Sequence, residues 1–109
     1  MAVETITRPG IEILEETGSE LEPRYHLILL DDQYHTYQYV IVMLGQLFGY
    51  EVEKAYAIAC VVDSQGQAVL MTGSRDDVEA KQHDVHSFGA DPLMPQCKGS
   101  MSAIIEAAE

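Results

Sequence analysis

The chain has 109 residues, of which 47% are apolar, and this is enough for one modest hydrophobic core and too little for two. Its 18 acidic and 6 basic residues give a formal net charge of -12 at pH 7. This charge disfavours nucleic acid and anionic membranes as partners and favours a positively charged partner. Acidity can also serve solubility alone. With two cysteines, no signal peptide and no apolar run long enough to span a membrane, we expect a cytoplasmic protein.

An acidic tail over residues 1–24 is predicted to precede a core domain over residues 25–109. The tail contains one short apolar cluster, Ile11 to Leu14, which could form a transient strand. Such a segment buries too little apolar surface to offset the entropy of ordering it, so we expect it to be flexible. The apolar run from Tyr25 to Leu30 then predicts a buried strand, which ends at the carboxylates of Asp31 and Asp32.

Two helices are predicted next. Thr36 suits an N-cap, apolar residues from Val40 to Phe48 recur at helical spacing, and Gly49 suits the helix end. A second helix should run from about Glu51 to Val62, followed by a turn over residues 63–66. The residues predicted for the buried face of this second helix are Val52, Ala55, Tyr56, Ala59 and Val62.

The remaining segments alternate between strand and helix. Residues 67–72 predict a strand, and residues 75–88 predict a third helix whose thin apolar stripe leaves one side for solvent or a partner. Residues 90–99 predict a loop. Residues 100–106 suit a third strand, although residues 104–108 suit a short helix nearly as well. This order predicts an α/β sandwich, with a small three-stranded antiparallel or mixed sheet covered on one face by three helices.

The strongest candidate site is the corner where the first predicted strand meets the first predicted helix. Asp31 and Asp32 lie there, and with Asp63 they could gather three carboxylates that attract an ammonium group. The same aspartates could equally serve turns. Tyr37 could form the wall of an apolar pocket beside them, with Ala59 and Val62 as its floor. Such a pocket would hold an amino-terminal residue by its amine and its side chain together.

Patterns typical of enzymes and metal proteins are weak. Paired carboxylates can serve acid–base chemistry or bind a divalent cation, but no calcium-loop pattern accompanies them. His83 and His86 lie three residues apart without an evident third ligand. No phosphate loop, nucleophile elbow or Cys–His arrangement with an orienting third group is recognisable. We therefore expect no catalysis, no metal and no cofactor.

The segment from Tyr25 to Val40, YHLILLDDQYHTYQYV, resembles the ClpS family, adaptors that present N-degron substrates to AAA+ Clp unfoldases. In that family an apolar strand leads into Asn-Asp-Asp-Tyr-Thr-Pro-Met-Glu-Phe-Val, then two helices, a glycine-bearing turn, a strand and a third helix with a Glu and a Lys. This chain has Phe48-Gly49-Tyr50-Glu51, Gln65-Gly66-Gln67 and Glu79-Ala80-Lys81 at the matching places. The register holds without a gap from Tyr25 to about Asp91.

The resemblance implies a monomeric, non-enzymatic adaptor that binds substrate proteins with hydrophobic N-terminal residues and docks on a ClpA- or ClpC-type unfoldase. Asp31, Asp32 and Asp63 stand where the family's residues meet the substrate's α-amine. The implied side-chain pocket is formed by Gln33, His35, Tyr37, Ala59, Val62 and Met101. The implied unfoldase-binding surface includes Asp76, Glu79 and Lys81.

Departures from the family pattern concentrate at this pocket. Asp31 and Asp63 replace an asparagine and a histidine, which makes the amine site more anionic, whereas Gln33 replaces a second aspartate. Tyr37 is bulkier and Ala59 is smaller than the methionines that the family usually has. The alternative is therefore a ClpS-fold interaction domain that has lost degron recognition and binds a different protein. A Tyr37 ring inside the pocket would favour that alternative.

Overall fold

The computed structural model describes residues 23–108, which form three helices and three strands. In chain order these are β1 (Arg24–Leu30), α1 (Tyr37–Phe48), α2 (Val52–Gln65), β2 (Gln67–Gly73), α3 (Arg75–His86) and β3 (Ala103–Ala108). Almost all of the predicted tail, with its apolar cluster, lies outside the described residues. Within residues 23–108, the helices all lack the length and apolar character that crossing a bilayer requires.

The strand β1 lies at the centre of the sheet, with β2 on one side and β3 on the other, and both pairings are antiparallel. The C-terminal segment that could have formed a short helix is a strand, because Ile104 and Ile105 pair with Ile28 and Leu27 of β1. The predicted sandwich, a three-stranded sheet covered on one face by three helices, is confirmed, and its sheet is antiparallel rather than mixed.

The hydrophobic core lies between β1 and the helices. Leu27 and Leu29 of β1 are fully buried, as are Met43 and Leu44 of α1 and Val78 of α3. Burying each such side chain contributes about 1.5–3 kcal/mol, so this contact layer is the main source of stability for a domain of this size. The helical spacing that predicted α1 thus identifies residues that pack on the sheet.

The ends of α1 agree with the sequence prediction. The Thr36 side chain accepts a hydrogen bond from the Tyr39 backbone N–H at 3.1 Å, and Gly49 ends the helix in the left-handed conformation at φ 72°. A residue with a Cβ atom is strained in that conformation. Both ends of α1 are therefore determined by the local sequence. The segment with Asp31 and Asp32 thus connects β1 to a helix whose first residue is fixed by its N-cap.

The prediction for α2 was wrong at its C-terminus and on part of its buried face. Residues 63–65, predicted as a turn, form the last turn of the helix, and Gly66 ends it at φ 87°. Val52 and Tyr56, predicted to be buried, are 66% and 51% exposed. The helix α3 is shorter than predicted, since it ends at His86. The extension of α2 matters for the site because it places Asp63 on a helix.

Candidate functional site

Backbone hydrogen bonds hold the end of β1 between two other segments. The Leu30 N–H donates to the Ser102 carbonyl oxygen, and the Asp31 N–H donates to the Gly66 carbonyl oxygen, both at 3.0 Å. The corner is thereby fixed to the start of β3 on one side and to the end of α2 on the other. Because Asp63 lies in the last turn of α2, it is brought towards Asp31 and Asp32.

A small cavity of about 70 Å³ opens at this corner. Three carboxylates, those of Asp31, Asp32 and Asp63, line it together. The other lining residues are His35, Thr36, Tyr37, Val40, Ala59, Val62 and Met101. The cavity therefore combines an anionic part with apolar side chains, which is the chemistry that suits an ammonium group attached to an apolar substituent.

Tyr37 connects the first turn of α1 to the last turn of α2. Its hydroxyl donates to a carboxylate oxygen of Asp63 at 2.7 Å, and its ring lies 5.7 Å from the ring of Tyr56 between centroids. The hydrogen bond to Asp63, with a smaller contribution from burial, raises the pKa of Tyr37 above its usual value. The phenol thus lines the cavity and occupies an acceptor of one of the three carboxylates. Its side chain is partly exposed.

The side chain of His35 is buried and is hydrogen-bonded at both ring nitrogens. Its Nδ1 lies 2.8 and 2.9 Å from the two carboxylate oxygens of Asp32, and its Nε2 lies 2.7 Å from the Gly99 carbonyl oxygen. The His35 side chain is only 4% exposed, whereas that of Asp32 is 28% exposed. The imidazole therefore orients the Asp32 carboxylate while leaving part of it accessible at the cavity.

The sulfur of Cys97 completes a second cluster at the same corner. It lies 3.2 Å from His35 Nε2 and accepts a hydrogen bond from the Asp91 N–H at 3.1 Å. The sequence shows no Cys–His arrangement at a recognisable spacing, yet the structure places Cys97 beside His35, and the Cys97 thiol donates to the Gly99 carbonyl oxygen at 3.1 Å. Cys97 and His35 are 62 residues apart, and no spacing pattern in the sequence indicated that they meet.

Asp91 anchors the loop between α3 and β3 to the start of α1. The residue is only 2% exposed, and its carboxylate accepts the Thr36 N–H at 2.6 Å and the Leu93 N–H at 2.8 Å. Burial alone would raise the pKa of Asp91, but the hydrogen bonds from these backbone N–H groups outweigh burial and hold it below the usual value. The loop thus covers the corner and positions Gly99 and Met101 beside it.

The remaining predicted site residues lie away from the cavity. Gln33, predicted for the side-chain pocket, is exposed and does not line it. On α3, Asp76 is exposed and Glu79 forms an exposed ion pair with Arg75 at 2.8 Å. Lys81 donates from Nζ to the Leu47 carbonyl oxygen near the end of α1. The three residues predicted for the unfoldase surface therefore share one helix, but Lys81 also has a structural contact.

The two histidines of α3 have different surroundings. Both are exposed, but only His86 has a recorded structural contact, since its Nε2 accepts the Ala103 N–H at 3.0 Å and so supports the start of β3. Among residues 23–108, no group of three or more His, Cys, Asp or Glu side chains is arranged to hold a metal ion. The structure therefore offers no support for a metal site at these histidines.

Comparison with protein families and curated proteins gives consistent matches. The family model described as ATP-dependent Clp protease adaptor protein ClpS matches residues 20–95. The ATP-dependent Clp protease adapter protein ClpS of Xylella fastidiosa (strain M12) is 32% identical over 91 residues, which are 81% of this chain and 86% of that protein. The protein of the same name from Neisseria meningitidis serogroup A is 32% identical over 73 residues, which are 67% of this chain and 71% of that protein.

A solved structure matches the fold. The structure of Agrobacterium tumefaciens ClpS2 bound to L-phenylalaninamide superposes with a TM-score of 0.68 and covers 79% of this chain and 98% of that chain. The sequence identity of this pair is 22%, so the likeness concerns the arrangement of helices and strands.

Proposed function

The chain belongs to the ClpS family of adaptor proteins of the ATP-dependent Clp protease, and from this premise we propose that it binds the free N-terminal residue of substrate proteins and delivers them to a AAA+ Clp unfoldase. As a member of a non-catalytic adaptor family it is not an enzyme. The proposed partner is an unfoldase of the ClpA or ClpC type, and the proposed compartment is the cytoplasm.

The observation that carries the proposal is the convergence of Asp31, Asp32 and Asp63 on one cavity with apolar walls. A peptide α-amine has an ordinary pKa near 8 and is therefore mostly protonated at neutral pH. Its three N–H donors can each meet a carboxylate, and hydrogen bonds to charged groups contribute about 1.5–3 kcal/mol each. An acetylated N-terminus has no charge and a single N–H, so it would lose most of this binding energy.

The substrate's side chain would enter the apolar part of the cavity, which Val40, Ala59, Val62 and Met101 line. The cavity is small, at about 70 Å³, and the side chain of Tyr37 also lines it. Tyr37 would therefore have to rotate outward for a large residue. The incoming amine can replace the Tyr37 hydroxyl as the donor to Asp63, so amine binding and opening would occur together.

A relative supports the same class of ligand. The Agrobacterium tumefaciens ClpS2 structure contains L-phenylalaninamide, a molecule with a free α-amine and an aromatic side chain. For this chain we propose hydrophobic N-terminal residues, with Tyr37 setting the size that is accepted without rearrangement.

Isothermal titration of the full chain tests the proposal. Peptides that begin with Leu, Phe, Tyr or Trp should bind, and N-acetylated peptides of the same sequence should not. The double variant Asp31→Asn, Asp32→Asn should lose binding, whereas Glu53→Gln, which removes one exposed carboxylate of α2, should retain it. Binding that is indifferent to acetylation would overturn the proposal.

Delivery requires a surface for the unfoldase that is separate from the amine site. We propose α3 for this role, with Asp76 and Glu79 exposed on it and Lys81 beside the end of α1. None of these residues lines the cavity. A substrate and an unfoldase could therefore bind at the same time, and a ternary complex in size-exclusion chromatography would support this arrangement.

A second candidate function is a ClpS-fold interaction domain that binds a different protein. The hydrogen bond between Tyr37 and Asp63 favours it, because this bond closes one side of the cavity. In that case the wild-type chain would bind no free-amine peptide, and Tyr37→Ala would restore binding. Binding by the wild-type chain would exclude this candidate.

A further inference from the structure

A second, larger space adjoins the cavity at the corner between β1 and α1. It is an open cleft of about 560 Å³, which is within the size range of ligand sites. Asp32 and His35 line both the cleft and the cavity. The other residues that line the cleft are Tyr34, Gln96, Lys98, Gly99 and Ser100. The two spaces are therefore adjacent, with Asp32 and His35 between them.

One wall of the cleft is held in place by hydrogen bonds. This wall is the segment of residues 96–100, in the loop between α3 and β3. The Gly99 carbonyl oxygen lies 2.7 Å from Nε2 of His35, and the Ser100 hydroxyl accepts the Gly89 N–H at 2.6 Å. These bonds fix the wall beside the amine site, so its side chains have a defined position relative to a bound amine.

The cleft carries a positive charge that the cavity lacks. Of the residues that line either space in the described part of the chain, Lys98 alone is a lysine or arginine. It is exposed, and within residues 23–108 its ammonium group has no ion-pair partner. Lys54, by contrast, lies over the ring of Tyr50 at 3.9 Å. An exposed, unpaired ammonium group in a cleft is suited to a carboxylate of a ligand.

We infer that the cleft holds the second residue of a bound substrate and that Lys98 selects an acidic side chain at this position. The inference rests on the proposed function, because it takes the substrate's amine at Asp32 as its starting point. The first side chain enters the cavity, and successive side chains of an extended chain point to opposite sides. The second side chain therefore faces the cleft, which lies across Asp32 and His35 from the cavity.

The aspartates of the amine site do not prevent this selection. In the bound state the ammonium group of the substrate lies among the carboxylates of Asp31, Asp32 and Asp63 and offsets part of their charge. Lys98 lies on the loop wall of the cleft, where a second-residue carboxylate would meet it. Because such an ion pair is exposed to water, its effect on affinity is modest, about threefold.

Isothermal titration of the full chain with three peptides tests the inference. All three begin with Leu and have a free amine. The first has Glu at position 2 and Gln at position 6, the second has Gln at both positions, and the third has Gln at position 2 and Glu at position 6. An extended chain advances about 3.3 Å per residue, so position 6 lies about 13 Å beyond position 2, and the third peptide controls for net charge. The wild type should bind the first peptide about threefold more tightly than the other two.

Two matched variants assign the preference to Lys98. Lys98→Gln should bind the three peptides with equal affinity. Lys54→Gln removes the same charge at the other end of α2 from Asp63, and it should keep the threefold preference. Raising the salt concentration from about 0.1 M to about 1 M should reduce the preference of the wild type, because the Debye length falls from about 10 Å to about 3 Å.

The possible outcomes separate this inference from the proposed function. Equal affinity of the wild type for the three peptides would overturn the role of Lys98, and so would a preference that Lys98→Gln retains. Either result leaves amine binding intact. If no free-amine peptide binds, the proposed function fails, and the inference about Lys98 fails with it.

Discussion

Replacing Asp91 by alanine tests whether the loop between α3 and β3 is anchored to the corner between β1 and α1. The Asp91 carboxylate is the acceptor for the Thr36 and Leu93 backbone N–H groups, and the substitution leaves both without it. Because Thr36 is also the N-cap of α1, the change affects the helix that begins at the candidate site.

The size of the effect follows from how far water can replace the carboxylate. A buried donor without an acceptor costs about 1–3 kcal/mol. Leu93 is 55% exposed, so water can partly satisfy its N–H, whereas Thr36 is less accessible. We therefore expect Asp91→Ala to lower the free energy of unfolding by about 2–3 kcal/mol. For a domain of this size that corresponds to a melting temperature lower by about 10–20 °C.

Urea unfolding followed by circular dichroism at neutral pH measures this loss. Glu106→Ala, on the exposed side of β3, removes the same charge and should change the free energy of unfolding by less than about 0.5 kcal/mol. Asp91→Asn, which keeps one acceptor oxygen, should fall between the two. An Asp91→Ala protein as stable as the Glu106→Ala protein would refute the reasoning, because the loop would then not depend on this carboxylate.

Three further predictions concern pH, the cavity and α3. The pKa of Asp91 is lower in the folded chain than in the unfolded chain, so the ionised carboxylate stabilises the fold. Its contribution to the free energy of unfolding should be constant above about pH 5 and should decline as the pH falls below about 4. In urea titrations, the difference in free energy of unfolding between wild type and Asp91→Asn should therefore shrink below about pH 4. Tyr37→Phe should raise the affinity for free-amine peptides several-fold, since Asp63 is then free to accept from the amine; unchanged affinity in isothermal titration would contradict competition by the phenol. Glu79→Ala should weaken capture of a Clp unfoldase in a pull-down. The melting temperature of this variant should equal that of the wild type, because the ion pair between Glu79 and Arg75 is exposed. Capture as strong as that of a Glu53→Ala control would contradict a role for α3.

The parts of the fold that local chemistry encodes could be predicted from the sequence. The helix α1 has a side-chain N-cap at Thr36, apolar residues at helical spacing and a glycine that adopts the left-handed conformation at its end. The end of α2 was mispredicted because the polar residues Asp63, Ser64 and Gln65 are typical of turns, yet they also continue a helix until Gly66 ends it. Local composition does not distinguish these two outcomes.

Features that depend on long-range pairing could not be predicted from residue patterns. The sequence favoured a third strand over residues 100–106 only slightly over a short helix at residues 104–108, and the pairing of this segment with β1 decides between them. The register of the ClpS family placed Asp31, Asp32 and Asp63 near one another, and they line one cavity. The contact between Cys97 and His35 lies outside that register, because Cys97 follows the segment that the family model matches.

The central claim is that the corner formed by Asp31, Asp32 and Asp63 binds a free α-amine. Fluorescence anisotropy competition with one leucine-initiated peptide, in its free and N-acetylated forms, tests it most directly. Loss of two charge-assisted hydrogen bonds at about 1.5 kcal/mol or more each predicts that acetylation weakens binding by about 100-fold or more. Equal dissociation constants for the two forms would contradict the claim.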